Sequence, residues 1–135
     1  MKFSFQTILI GIFLGWLSFA IKPGEAWYVP APENRQACVQ LLSFFKPILE
    51  NPAIGKIGQN IKFDILVLKN YGLEVQGKLF DTMLAHYVLD PDSRHGMDIL
   101  AENYLGYTPI SITTLIGAKG KGQGSMKDVP LDKIT

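Results

Sequence analysis

Apolar positions along the chain change their spacing several times, and each change marks an expected element. Residues 8–21, ILIGIFLGWLSFAI, are nearly all apolar; KPGE at 22–25 reads as a turn, and Ala26-Trp27-Tyr28-Val29 reads as a short strand ended by Pro30-Ala31-Pro32. Together these predict an opening β-hairpin. From Glu33 to about Glu50 the residues Cys38, Leu41, Leu42, Phe45, Ile48 and Leu49 recur at helical spacing, with Pro47 placed to kink or end the helix. Lys56-Ile57-Gly58 predicts a short strand, Asn60 the N-cap of a helix reaching Tyr71, and Gly72 its C′ residue.

The same logic continues downstream. Leu79-Phe80 predicts a brief strand, and Asp81 caps a helix, TMLAHYVL, with Met83, Leu84, Tyr87 and Val88 on one face. Met97 to Leu105 predicts an amphipathic helix through Leu100, Ala101, Tyr104 and Leu105, stopped by Gly106. Residues 117–127, GAKGKGQGSMK, carry glycines and lysines without an acid and read as a mobile cationic loop. Alternating strands and helices with no internal repeat give an α/β class.

Composition narrows the picture only slightly. At 135 residues and 47% apolar content the chain is long enough for one globular unit, and a net charge of +1 announces neither a nucleic-acid nor a membrane partner. The single cysteine, Cys38, lies on a predicted apolar stripe and reads as a buried hydrophobe in a reducing compartment. Met1-Lys2 ahead of residues 8–21 also resembles a secretory signal, although the run is short of the roughly 20 residues that span a bilayer. The competing reading is a buried strand.

The chemistry centres on IGQNIKFD, residues 57–64. At about 100° per residue Asp64 lies beside the stripe of Ile61, Ile65 and Leu68, at the edge of the core. A carboxylate there needs a partner, either a salt bridge or a hard metal ion such as Mg²⁺. Asn60 caps its helix and, with Gln59, stands at the end of a strand where open α/β sheets place ligand contacts. The lysine loop does not match a P-loop, so it is either a solvated loop or a flexible contact to a phosphodiester backbone. Arg94-His95 carries the same ambiguity. His86 reads as a packed histidine, and no His/Cys cluster has zinc spacing.

IGQNIKFDILVLKNYGLEV, then LFDTMLAHYVLDPDSRHGMDILAENYLGY and IGAKGKGQ, resemble the 3′-5′ exonuclease domain of bacterial DNA polymerase I, and SFAIKPGEAWYVP resembles its early hairpin. The similarity begins near Leu17, leaving 1–16 as an unmatched apolar segment and 17–135 as a partial exonuclease domain. The resemblance implies a ribonuclease-H-like α/β fold and hydrolysis at a DNA 3′ end by two Mg²⁺ or Mn²⁺ ions, held by acids from three separated motifs. It makes Asp64 the metal-binding, catalytic acid of the second motif. It places Gln59, Asn60 and Phe63 near the terminal nucleotide, Arg94 on a phosphate, and Lys119 and Lys121 near the single strand.

The departures from that family are as informative. Its first motif is an Asp-x-Glu on an early strand, whereas residues 1–24 contain no acid; its third, a tyrosine and an aspartate on a helix, would come after DVPLDKIT. With one carboxylate of the expected four, two metals are neither neutralised nor positioned. The expectation is therefore an incomplete exonuclease fold, a cytoplasmic fragment inactive alone, whose partners are a single-stranded DNA 3′ end and the remainder of a DNA polymerase I. Two alternatives stand beside it: a non-catalytic nucleic-acid or partner-binding module, and an exported or membrane-anchored protein.

Overall fold

The long apolar run at the start is two strands. In the computed structural model, which describes residues 7–13, 16–118, 120, 122–124 and 128–133, β1 (Thr7–Phe13) and β2 (Trp16–Lys22) pair antiparallel, with Leu9 opposite Ala20 and Phe13 opposite Trp16. Gly11 faces Ser18 in this ladder, and Ser18 Oγ donates to Gly11 O at 3.2 Å. A Cβ on Gly11 would lie 2.7 Å from that hydroxyl, so the pair pins the register. The predicted hairpin follows: β2 turns at Pro23-Gly24 into β3 (Glu25–Pro30), closed by an exposed Lys22–Glu25 ion pair of 2.7 Å.

Two parallel strands complete the sheet. β4 (Gly55–Gly58) pairs with β1, and β5 (Leu79–Asp81) pairs with β4, giving the order β3-β2-β1-β4-β5. The centre of the sheet is thus held by Thr7–Phe13, a segment with no acid in it.

The chain divides into two compact units, the first running to Ser93 and the second starting at Arg94. In the first, α1 (Arg35–Leu49) begins at Asn34, whose Oδ1 accepts from the Gln36 and Ala37 amides at 2.9 and 3.1 Å. It runs through Pro47 rather than breaking, because the proline sits in the last turn and costs only one intrahelical bond. Its predicted face packs inward through Cys38, Leu42 and Leu49, with Leu41 and Phe45 beside them, but Ile48 is exposed. Each fully buried large aliphatic there contributes about 1.5–3 kcal/mol. Phe45 stacks on Phe19 of β2 with ring centroids 4.6 Å apart, joining helix to sheet.

α2 (Ile61–Asn70) ends as expected at Gly72, which takes φ +83° while the Leu73 amide closes back on Leu68 O at 3.1 Å. The last helix of this unit, α3 (Thr82–Leu89), contradicts its predicted face. His86 is its buried residue, whereas Leu84, Tyr87 and Val88 are exposed, Val88 by 80%.

The second unit holds α4 (Met97–Leu105), ended by Gly106 in the left-handed region as predicted, and α5 (Ile112–Ile116), which the sequence pattern did not reveal. Neither helix has a buried residue; Tyr104 and Leu105, assigned to an inward face, are exposed. In the lysine loop the Gly124 amide donates back to Ile116 O of α5 at 2.8 Å.

Candidate functional site

The register between β4 and β5 brings Gly58 opposite Asp81, so both strands end side by side and the N-termini of α2 and α3 start there together. This is the edge at which α/β sheets present ligand-binding groups.

One carboxylate holds the two helix starts. Asp81 Oδ1 accepts from its own helix at the Met83 and Leu84 amides, 2.9 and 3.2 Å, and from the Asn60 amide at 3.1 Å, while Oδ2 accepts from the Ile61 amide at 3.0 Å. The orphan donors and the positive ends of both helices converge on a single negative charge. Asp81 is thus the predicted cap of α3 and also the cap of α2.

That corrects the role expected of Asn60. Its side chain makes no capping bond; its backbone adopts φ +58° and ψ +45°, the left-handed conformation, the only such non-glycine residue among those described. Asparagine serves both purposes for the same reason, a short polar side chain that tolerates αL and competes with the backbone. With Asp81 supplying the cap, the Asn60 carboxamide stays outside it.

Thr82 secures the residue before. Its Oγ1 lies 3.2 Å from Gly58 O and in a short contact with Gln59 Oε1. Gly58 itself allows the tight passage from strand to helix, since a Cβ there would be 3.0 Å from Ile61 Cβ and 3.3 Å from Ile10 O. Asp81 and Thr82 therefore grip the backbone or side chain of every residue from Gly58 to Ile61.

Asp64 lies deeper than expected. The buried stripe of α2 is Ile61, Asp64 and Leu68, with Asp64 only 6% exposed, so the carboxylate is on the inward face itself and Ile65 at its margin. Beside it in the chain, Phe63 is 52% exposed. Gln59, Asn60, Phe63 and Asp64 are thus brought together on one strand-to-helix junction. Arg94 belongs to the second unit, and Lys119 and Lys121 lie outside the described residues.

A two-metal centre does not fit the donors present. Among the described residues no three His, Cys, Asp or Glu side chains come together, and β1 brings no acid to the centre of the sheet.

Sequence reasoning passed over Lys56. It is fully buried on β4, and its Nζ donates to Asn51 O, Ile54 O and Gln76 O at 2.8, 2.8 and 2.6 Å. Burial pushes its ammonium below the usual lysine range.

Comparison with known proteins agrees with this architecture. A family model described as 3′-5′ exonuclease matches residues 11–134. DNA polymerase I of Pseudomonas aeruginosa is 40% identical over 140 residues, covering 95% of this chain and 14% of that protein. DNA polymerase I of Rhizobium leguminosarum is 43% identical over 104 residues, covering 76% of this chain and 10% of that protein. The chain thus spans a small part of the length of the relatives it matches. Brucella melitensis NrnC superposes with a TM-score of 0.67 at 18% identity, over 81% of this chain and 56% of that one. Its form with bound Mg²⁺ gives a TM-score of 0.62 at 15% identity, over 87% and 61%. At such identities the likeness shows the fold, the ribonuclease-H-like α/β arrangement of this exonuclease group.

Proposed function

This chain belongs to the 3′-5′ exonuclease family, with DNA polymerase I among its relatives, and we propose that it takes up the 3′ end of single-stranded DNA at the Gln59–Asp64 junction without hydrolysing it alone. The observation that carries the reading is the presentation of Gln59, Asn60 and exposed Phe63 at the ends of β4 and β5, with the Asn60 carboxamide outside the helix cap. Phe63 offers an aromatic face for a base, and the two carboxamides offer donors and acceptors to the terminal nucleotide. Arg94, Lys119 and Lys121 supply charge for the phosphates.

Asp64 is the metal-binding acid of the proposed site. Mg²⁺ or Mn²⁺, when held, would generate the nucleophile and stabilise the leaving oxygen, but one aspartate does not hold two such ions. Catalysis therefore requires acids beyond those of the described residues, and we propose the remainder of a DNA polymerase I as their source, in the cytoplasm. The exposed apolar face of α3, Leu84, Val88 and Leu89, supports an association of this kind. The export alternative finds no support: residues 8–21 contribute two strands to the sheet, and no helix among the described residues is long and apolar enough to cross a membrane.

Fluorescence anisotropy with labelled oligothymidylate tests the proposal. Binding should weaken with salt, and the slope should fall by about 0.7 for each phosphate left without its lysine when Lys119 and Lys121 are neutralised. Robust degradation of the oligonucleotide in Mg²⁺ or Mn²⁺, abolished by Asp64→Ala, would overturn the claim of inactivity. Absence of binding at low salt would end the nucleic-acid reading.

A further inference from the structure

Asp81 and Thr82 do more for the junction than start a helix. The Asn60 and Ile61 amides each donate to Asp81, and Thr82 Oγ1 meets both Gly58 O and the Gln59 carboxamide. Neither residue needs these contacts to form α3, whose cap uses only the Met83 and Leu84 amides. A side chain with the reach of serine would suffice there. The second carboxylate oxygen of the aspartate and the hydroxyl of the threonine serve the neighbouring segment.

We propose that Asp81 and Thr82 are the positioning residues of the Gln59-Asn60 contact, holding Asn60 in the left-handed conformation and Gln59 in one orientation. The inference rests on the reading of Gln59 and Asn60 as nucleotide contacts, but its geometric half stands apart from it. Asn60 at φ +58° is a conformation of limited intrinsic preference, and the paired bonds from successive amides to Asp81 make it the resident one. Two short residues on β5 and α3 thereby set the direction of two amides on the β4–α2 connection.

The four bonds suggest variants that separate the roles. Asp81→Ser retains a cap for α3 but does not reach α2. Asp81→Asn keeps the Oδ1 bonds to Asn60, Met83 and Leu84 and gives up the one to Ile61. Thr82→Val removes the hydroxyl at nearly constant shape, and Thr82→Ser restores it. Leu42→Ala, in the core, lowers stability without touching the junction.

Two readouts are taken on the full chain. Amide exchange by NMR reports the Asn60 and Ile61 protons relative to the Leu68 amide, and anisotropy reports oligothymidylate affinity. In Asp81→Ser, which loses both bonds to α2, we expect Asn60 and Ile61 exchange to accelerate at least tenfold relative to Leu68, and affinity to fall at least tenfold, each charge-assisted bond being worth about a factor of ten or more. Thr82→Val should weaken affinity similarly, with rescue by Thr82→Ser; Asp81→Asn should rescue Asn60 protection but not that of Ile61. Leu42→Ala should change neither relative exchange nor affinity. Unchanged Asn60 and Ile61 exchange in Asp81→Ser overturns the positioning role, as does an equal fall in affinity in Leu42→Ala. If the unaltered protein does not bind oligothymidylate, the nucleotide-contact reading falls, and exchange alone decides the positioning role.

Discussion

Replacing Lys56 with methionine should destabilise the first unit at neutral pH by about 1–3 kcal/mol. The side chains are similar in length, so little volume changes and the effect is confined to the ammonium. In the native protein Nζ satisfies Asn51 O, Ile54 O and Gln76 O, joining β4 to the loops on either side of it. Asn51 O keeps a second partner, the Ile54 amide at 3.2 Å, which leaves Ile54 O and Gln76 O to bear the loss. A buried polar group deprived of its partner costs about 1–3 kcal/mol; Ile54 is half-buried and Gln76 exposed, so water takes up part of the loss and the two together cost about 2–4. The ammonium itself is disfavoured by burial, and removing that penalty lowers the sum to the predicted range. The pH dependence has a definite sign. Burial lowers the folded pKa of Lys56 from its ordinary 10.5, so between the two values the unfolded chain binds more protons and stability rises with pH. The penalty is present in full below the folded pKa and relieved above 10.5. Urea unfolding of both proteins from pH 7 to pH 10 measures this: the gap in favour of the lysine should widen as pH approaches 10. A methionine variant at least as stable as the lysine protein at pH 7, or a gap that narrows with pH, would refute the reasoning.

Other single positions carry predictions of their own. Asn60→Gly should leave stability within about 0.5 kcal/mol, since glycine accepts φ +58° freely, whereas Asn60→Ala should cost about 1 kcal/mol; both should weaken oligothymidylate binding, so calorimetry and anisotropy part company for the glycine. Gly77→Ala should cost about 2–4 kcal/mol by urea unfolding, because φ is +93° and the new Cβ would collide with Ile54 O, one of the carbonyls gathered on Lys56. Cys38, free and buried, should react with a thiol reagent only as fast as the first unit opens, and its rate should rise in Leu42→Ala.

Local signals foretold most of the boundaries and fewer of the orientations. The turn at Pro23-Gly24, the cap at Asp81 and the stops at Gly72 and Gly106 all stand, because each depends on backbone chemistry within a few residues. The run 8–21 hid two strands, because its residues are apolar on both faces of each strand and nothing polar divides one strand from the next. The inward turn of Asp64 and of His86 escaped periodicity for a common reason. Periodicity assumes that a helix buries its most apolar face, whereas α2 and α3 are fixed at their starts by Asp81 and Thr82, and those anchors set the rotation. Lys56 was missed because its acceptors come from residues 51, 54 and 76, a cage that forms only in the folded chain.

The central strand shows how this fold and its family's chemistry separate. β1 has neighbours on both sides, β2 and β4, and Ile10 at its middle is 3% exposed, so the position favours an apolar residue whatever the reaction. Carboxylates at such a place carry a desolvation cost of several kcal/mol each unless cations compensate it. Acids on β1 and a bound metal pair therefore stabilise each other, and neither is favourable without the other. The sequence TILIGIF pairs with β2 and β4 without such acids. It preserves the register of β4 against β1 and of β5 against β4, and with it the junction at which Asp81 grips Asn60. What this scaffold keeps is thus the junction built by β4, β5 and two helix starts, the place proposed for a nucleotide, while β1 brings no acid to the centre of the sheet.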